Sequence, residues 1–251
     1  MKIQGTTAVV TGASSDFGRR VAERLAAKGA NVGLLGRDAA RLEEAAESCR
    51  ASGVKAAFAA GDISDGDYVD KAFSDFEGAL GPVGIVVNVA GISQTSRSNV
   101  EDIDPAAWDR MIATNLRGTF LTCRRALPGM KAQQRGAIVN IGSTGAHIAR
   151  PQVSVYAASK FAVRALTDSL IEECNGTGVR VALVSAGPIN TPFWDTFSGT
   201  PPMERGQMLQ VDDLADAILW LIERPANVRV DEILLRPYTP TPATAREPEF
   251  R

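Results

Sequence analysis

The chain has 251 residues, a formal net charge of −2 and an ordinary balance of apolar and charged residues. That is enough chain for one α/β domain with a full core. The near-neutral charge gives no electrostatic reason to expect nucleic acid or an anionic membrane as a partner, and no apolar run approaches the ~18 residues of a membrane span.

The opening Met1-Lys2-Ile3-Gln4-Gly5 leads straight into an expected strand and does not read as a signal peptide. Cys49, Cys123 and Cys174 are scattered and odd in number, and His147 is the sole histidine. Reduced thiols, a cytoplasmic compartment and no protein-built metal site are the expectation.

A first strand over 7–11 runs into Thr11-Gly12-Ala13-Ser14-Ser15-Asp16-Phe17-Gly18, and a helix over 17–28 follows with Phe17, Val21, Ala22 and Leu25 on one face. Strand, glycine turn and helix N-terminus make an anion site, with backbone N–H groups and the positive helix end facing a pyrophosphate. Gly12 and Gly18 allow the backbone to approach closely. Asp16 reads as the helix N-cap. A second strand over 31–36 ends in Gly36-Arg37-Asp38, where Asp38 reads as the cap of a helix over 39–52. Arg37 offers a fork-shaped match to a phosphate, with Ser14 as an added donor.

A strand over 54–60 precedes Asp62 and Ile63, and a helix over 66–79 follows. The strand over 83–89 closes on Asn88-Val89-Ala90-Gly91. One long helix over 106–133 contains Thr114-Asn115. The strand over 136–142 leads to Ser143 and to His147, which reads as a capped or solvent-facing residue, a pocket role being the alternative. A helix over 155–175 carries Tyr156 and Lys160. After the strand over 179–185 come Ala186-Gly187-Pro188-Ile189-Asn190-Thr191. The aperiodic stretch 190–208 is the candidate substrate lid, in which Phe193, Trp194 and Phe197 either line a substrate or pack the lid down. A helix over 212–224, a strand over 231–235 and a Pro-rich tail, 238–251, expected to be extended or disordered, complete the chain.

Strands such as Ile85-Val86-Val87 are apolar without alternation, which suits parallel strands covered on both faces. Alternating β and α units imply a doubly wound, seven-stranded parallel sheet with helices on both faces, in a single domain over 1–237.

The spacing of Tyr156 and Lys160 puts phenol and ammonium on one helical face. A lysine charge roughly 4 Å from a phenol, at an effective dielectric of about 20, is worth on the order of 4 kcal/mol. That would lower a tyrosine of pKa ~10 toward neutrality and poise it for proton transfer at a carbonyl or alcohol oxygen.

Taken in order, Thr11-Gly12-x-x-x-Asp16-x-Gly18, Asn88-Val89-Ala90-Gly91, Asn115, Ser143 and Tyr156-x-x-x-Lys160 resemble the short-chain dehydrogenases/reductases over about residues 5–237. Asp16 stands where that family usually has its second glycine, Val89 replaces an asparagine, and Ala186 replaces a proline. The resemblance implies a carbonyl–alcohol oxidoreductase in which Tyr156 is the general acid or base, Lys160 lowers its pKa and binds the nicotinamide ribose, Ser143 holds the substrate oxygen, and Asn115 fixes a water that links Lys160 to solvent. It places Asp62 and Ile63 at the adenine, Asn88, Ala90 and Gly91 on the cofactor floor, and Gly187, Ile189 and Thr191 beside the nicotinamide. Ser15, Phe17 and Gly18 complete the phosphate turn.

NAD users of the family usually carry an aspartate at the position of Gly36. Glycine there, followed by Arg37, implies NADP. A homotetramer or homodimer is implied as well. Gly142-Ser143-Thr144, Ala126–Met130 and the Leu-Arg-Pro ending at 237 resemble members acting on hydroxy acids, hydroxy amino acids, or simple aldehydes and ketones. The alternatives are a 3-oxoacyl carrier-protein reductase and a non-catalytic cofactor-sensing protein on the same fold. Glu172, Glu173 and Thr177 weigh against the first, because an acidic carrier needs basic residues at the site mouth. The intact Asn–Ser–Tyr–Lys set weighs against the second.

Overall fold

A computed structural model describes residues 1–238, so all of the tail beyond Tyr238 lies outside the described residues. Seven strands form one sheet in the order β3-β2-β1-β4-β5-β6-β7, with every neighbouring pair parallel. They are β1 (Thr7–Thr11), β2 (Asn31–Gly36), β3 (Ala56–Ala60), β4 (Val83–Asn88), β5 (Gly136–Ile141), β6 (Val179–Ala186) and β7 (Glu232–Leu235). The helices are α1 (Asp16–Ala27), α2 (Ala39–Arg50), α3 (Gly66–Leu80), α4 (Pro105–Ile112), α5 (Gly118–Ala132), α6 (Ser154–Glu173) and α7 (Val211–Ile222). This is the doubly wound sheet expected from the alternation.

Two apolar layers sandwich the sheet. Val21 and Leu25 of α1, Leu42 of α2 and Ile218 of α7 pack on one face. Phe73 and Phe76 of α3, Met130 of α5 and Leu170 of α6 pack on the other. Residues of β1, β4 and β5 are buried along their whole length, which is why those strands carry no polar alternation. The strand order reverses between β1 and β4, and a doubly wound sheet opens its ligand crevice at the carboxyl ends of such neighbours.

Two local expectations are corrected. The helix expected over 106–133 is broken by a π-helical turn at Ala113–Arg117. A wide turn of this kind interrupts the regular ladder and re-aims a side chain, and here Asn115 becomes buried and points into the loop after β4. The cap of α1 is Ser15, not Asp16: Ser15 Oγ accepts from Gly18 N at 3.1 Å. Asp16 occupies the first helical position and pairs with Arg41 Nη2 at 2.9 Å.

Candidate active site

The crevice between the ends of β1 and β4 depends on close backbone packing. Gly12 has φ +66°, and a Cβ there would lie 2.9 Å from the Ala90 backbone. A Cβ on Gly18 would lie 2.3 Å from the Gly12 carbonyl oxygen, so α1 sits directly on the turn. Ser15 Oγ donates to Gly12 O at 2.7 Å, and Thr11 Oγ1 accepts from Ala90 N at 2.9 Å, tying the turn to itself and to the β4 loop. These contacts enclose a cleft of about 130 Å³ whose walls include Gly12, Ser14, Ser15, Arg37, Asp62 and Gly91. Ile63 and Ala90 line it too.

Position 36 has little room for a side chain, because a Cβ would lie 2.7 Å from Ser14 Oγ. Asp62 Oδ1 accepts from Ser64 N at 2.8 Å and from Ser64 Oγ at 2.7 Å. Those two bonds hold its carboxyl below the usual range, assisted by the charge of Arg37. A glycine-built cradle at a helix N-terminus, with Arg37 in its wall, fits a dinucleotide.

Asn88 does not face this cleft. Its Nδ2 donates to Asn140 Oδ1 at 2.8 Å and its Oδ1 accepts from Thr122 Oγ1 at 2.7 Å, while Asn140 Nδ2 donates to Thr167 Oγ1 at 3.0 Å. Asn88 therefore supports the floor from behind, and Val89 takes a place in the cleft wall. Phe17, in the first turn of α1, is buried in the core. Gly187 N donates to Leu235 O at 2.9 Å, Ile189 bridges to Leu209, and Thr191 O accepts from Arg205 Nη2 at 3.0 Å, all beyond the end of β6.

Ser143 follows β5 and opens a 3-10 turn, Thr144–Ala146, with its Oγ accepting from Gly145 N at 3.0 Å. A Cβ at Gly145 would lie 3.4 Å from Ser143 Oγ and 3.5 Å from Tyr156 Cε1, so serine and tyrosine flank one point. A Cβ at Gly91 would lie 3.4 Å from Asn115 Oδ1 and 3.6 Å from Lys160 Nζ. The fold thus draws Ser143 toward Tyr156, and Lys160 toward Asn115 at the Gly91 end of the cleft.

The electrostatics differ from the expectation. Lys160 Nζ donates to Ile141 O at 2.8 Å and lies 5.9 Å from the Tyr156 ring centroid. Its charge is directed at β5 rather than at the phenol. Burial pushes the Tyr156 phenol up, with the Ser143 hydroxyl opposing it, and burial pushes Lys160 down to about 8. In the free protein, desolvation outweighs the phenol–ammonium attraction that the spacing suggested.

The sign for stability follows. Below about 8 the folded chain buries a charged lysine, whereas the unfolded chain holds the same charge in water. Between about 8 and the ordinary lysine value of ~10.4 the unfolded state binds more protons, so this group's penalty fades as pH rises. Lys160→Met should therefore raise the Tm of the cofactor-free protein at pH ~7, and its advantage over the parent should shrink toward pH ~10. A variant less stable than the parent at neutral pH would contradict this.

Asn115 is tied to its neighbours through its amide: Oδ1 accepts from Ile92 N at 2.8 Å, and Nδ2 donates to Ile92 O at 2.9 Å and to Ser159 Oγ at 3.0 Å. The side chain braces the β4 loop against α6. His147 does not face the cleft either; it bonds Glu232 and Arg164.

In the stretch 190–208, Phe193, Trp194 and Phe197 form a cluster with centroids 5.0–5.9 Å apart, Trp194 edge-to-face with both phenylalanines. Trp194 Nε1 donates to Ile189 O at 2.8 Å, and Ser198 N donates to Thr95 O at 2.7 Å. Packing holds this segment down across the loop that follows β4. Sequence reasoning missed Arg41 and Ile92. No local pattern marks a backbone group or an ion pair that is completed from another helix.

Among the described residues there is no cluster able to hold a metal ion, and no helix is long and apolar enough to cross a membrane. A doubly wound sheet with a glycine-walled cleft at its strand-order reversal, beside Ser143, Tyr156 and Lys160, has the architecture of a nucleotide-binding α/β protein. The short chain dehydrogenase family pattern matches residues 6–201, and the chain belongs to that family of oxidoreductases. An uncharacterized oxidoreductase of Staphylococcus epidermidis is 34% identical over 236 residues, covering 94% of this chain and 99% of the relative. A metagenomic short-chain oxidoreductase in complex with NADP superposes with a TM-score of 0.82 at 30% identity, covering 95% of this chain and 100% of the other. A 3-ketoacyl-(acyl-carrier-protein) reductase from Brucella melitensis complexed with NADH gives 0.85 at 31% identity, covering 93% and 98%.

Proposed function

We propose that the chain is an NADP-dependent oxidoreductase that interconverts a carbonyl and an alcohol by hydride transfer on a small or medium substrate, such as a hydroxy acid, a hydroxy amino acid, an aldehyde or a ketone. The observation that carries this reading is the convergence of Ser143, Tyr156 and Lys160 beside a cleft whose wall also holds Gly36 and Arg37. The cofactor supplies the hydride when bound. Ser143 orients the substrate oxygen through its hydroxyl. The surroundings that push the Tyr156 phenol up keep its proton in place, which is the form needed to protonate the oxygen of a carbonyl being reduced. Lys160 places a positive charge near the Gly91 wall, where it offsets negative charge developing at the reacting oxygen. Asn115 keeps that wall in position through Ile92.

The NADP preference rests on Gly36, which offers no acid to repel a 2′-phosphate, and on Arg37, which adds a cation. The NADP complex of the metagenomic relative supports it. NADPH should bind more tightly than NADH, and Arg37→Ala should cost about 1.5–3 kcal/mol of NADPH affinity while barely touching NADH. Equal dissociation constants for the two cofactors in the parent protein would overturn this assignment.

Asp16 bears on the same site. Asp16→Gly removes one partner of an exposed ion pair worth at most about 1 kcal/mol, and it frees the Arg41 cation at the rim of the phosphate turn. The NADPH dissociation constant should fall several-fold, with the gain shrinking as salt rises. Tm should barely move, because Ser15 keeps the cap. Weaker NADPH binding would mean that Asp16 contributes directly to holding the cofactor.

A second reading, reduction of a 3-oxoacyl group on a carrier protein, is favoured by the likeness to the Brucella reductase. Against it, α6 ends in Glu172 and Glu173. Turnover of acetoacetyl carrier protein compared with free ketones separates the two. We also propose a homo-oligomer, dimer or tetramer, supported by Phe120 and Phe161, which α5 and α6 leave 45% and 41% exposed; light scattering tests it. Three free buried cysteines fit the reducing conditions of a cytoplasmic protein.

A further inference from the structure

His147 follows the turn that Ser143 opens, and it sits in a bridge between three elements. Its Nε2 lies 2.7 Å from Glu232 Oε1 in β7, and its Nδ1 lies 3.1 Å from Arg164 Nη1 in α6. The same Nη1 donates to Ala146 O at 3.5 Å, and Arg164 Nη2 lies 3.8 Å from Glu232 Oε2. Asp168, 4.0 Å from Arg164 Nε, is a further charge on this guanidinium. The imidazole is only 12% exposed, so water competes little for these bonds.

Donor and acceptor chemistry fixes the ring. A guanidinium carries only N–H donors, so Nδ1 must accept from Arg164. The ring proton then sits on Nε2 and is donated to Glu232. Arg164 lies on α6, two helical turns beyond Tyr156. The bridge therefore references the Ser143 turn to the helix that bears the phenol.

We propose that His147 is a positioning residue. As a neutral imidazole with its proton on Nε2, it pins the Ser143 turn between α6 and β7 and so sets the separation of the serine hydroxyl from the Tyr156 phenol. Its effect on turnover rests on the catalytic reading above; its tautomer does not.

Because His147 is the sole histidine, nitrogen-15 NMR of the free protein at neutral pH reads one imidazole. A neutral ring with its proton on Nε2 is expected. A proton on Nδ1, or signals averaged between tautomers, would overturn the bridge whatever the enzyme does. In kinetics, His147→Gln still offers one acceptor and one donor and should keep kcat within about threefold, whereas His147→Ala should lose roughly 10- to 100-fold in kcat. The NADPH dissociation constant should stay unchanged in both variants. A merely structural role would make kcat follow the Tm of each variant. An Ala variant with parental kcat, or a Gln variant as impaired as Ala, would overturn the proposal. If the parent turns over no carbonyl or alcohol, the catalytic reading fails and the NMR result alone decides the bridge.

Discussion

Tyr156→Phe should reduce turnover by about 10²–10⁴-fold while leaving NADPH affinity within about twofold of the parent, because the phenol moves a proton and contributes little to holding the dinucleotide. The substitution deletes one oxygen and leaves the ring beside Gly145 in place, so packing is preserved. The removed hydroxyl is also one that burial pushes toward its neutral form, so no buried charge is orphaned and stability should hardly change. Cofactor titration by fluorescence, with kcat on the best carbonyl substrate, provides the comparison. A Phe variant that retains most of its kcat would remove Tyr156 from the proton-transfer role.

Gly18→Ala should have the second largest effect, and for a steric reason. Its new Cβ would lie 2.3 Å from Gly12 O, 2.6 Å from Gly12 C and 2.9 Å from Ala13 Cα, all of them backbone atoms. None can swing aside as a side-chain tip would, so α1 must lift off the phosphate turn. Forcing one carbon into such a contact costs about 1–3 kcal/mol, which for a chain of this size lowers Tm by several degrees. NADPH affinity should fall at least tenfold, since the N–H groups that form the anion site move with the helix. Gly78→Ala is the control: no atom lies within 4 Å of its Cβ position in α3, and removing a helical glycine there should stabilise by up to about 1 kcal/mol. If both variants behave alike, close helix–turn packing is not what Gly18 provides.

How far the sequence foretells this molecule depends on whether the deciding contact is local. The apolar runs of β1, β4 and β5 are strands in any context that buries both faces, and that is what the sheet does. The break at Ala113–Arg117 carries no glycine or proline to announce it; the bonds between Asn115 and Ile92 select it from outside the helix. Ser15 and Asp16 are both good caps and differ by one position. Arg41, arriving from α2, takes the aspartate and leaves the cap to serine. The Tyr156–Lys160 spacing places both residues on one helical face, but it cannot tell that the Ile141 carbonyl lies closer to the ammonium than the phenol ring does. Asn88 illustrates the same point: its motif position is readable, whereas its inward turn toward Asn140 depends on the neighbouring strand.

The strand order has a consequence for the sequence of events during synthesis. Because β1 lies between β2 and β4, the cleft residues from Gly12 to Ile92 are encoded in the first part of the chain, and only Thr114, in the turn before α5, follows them. The serine turn is different, since its bridge partner Glu232 belongs to the last strand of the sheet. A nascent chain thus contains most of the cleft residues long before it contains the bridge partner of the Ser143 turn.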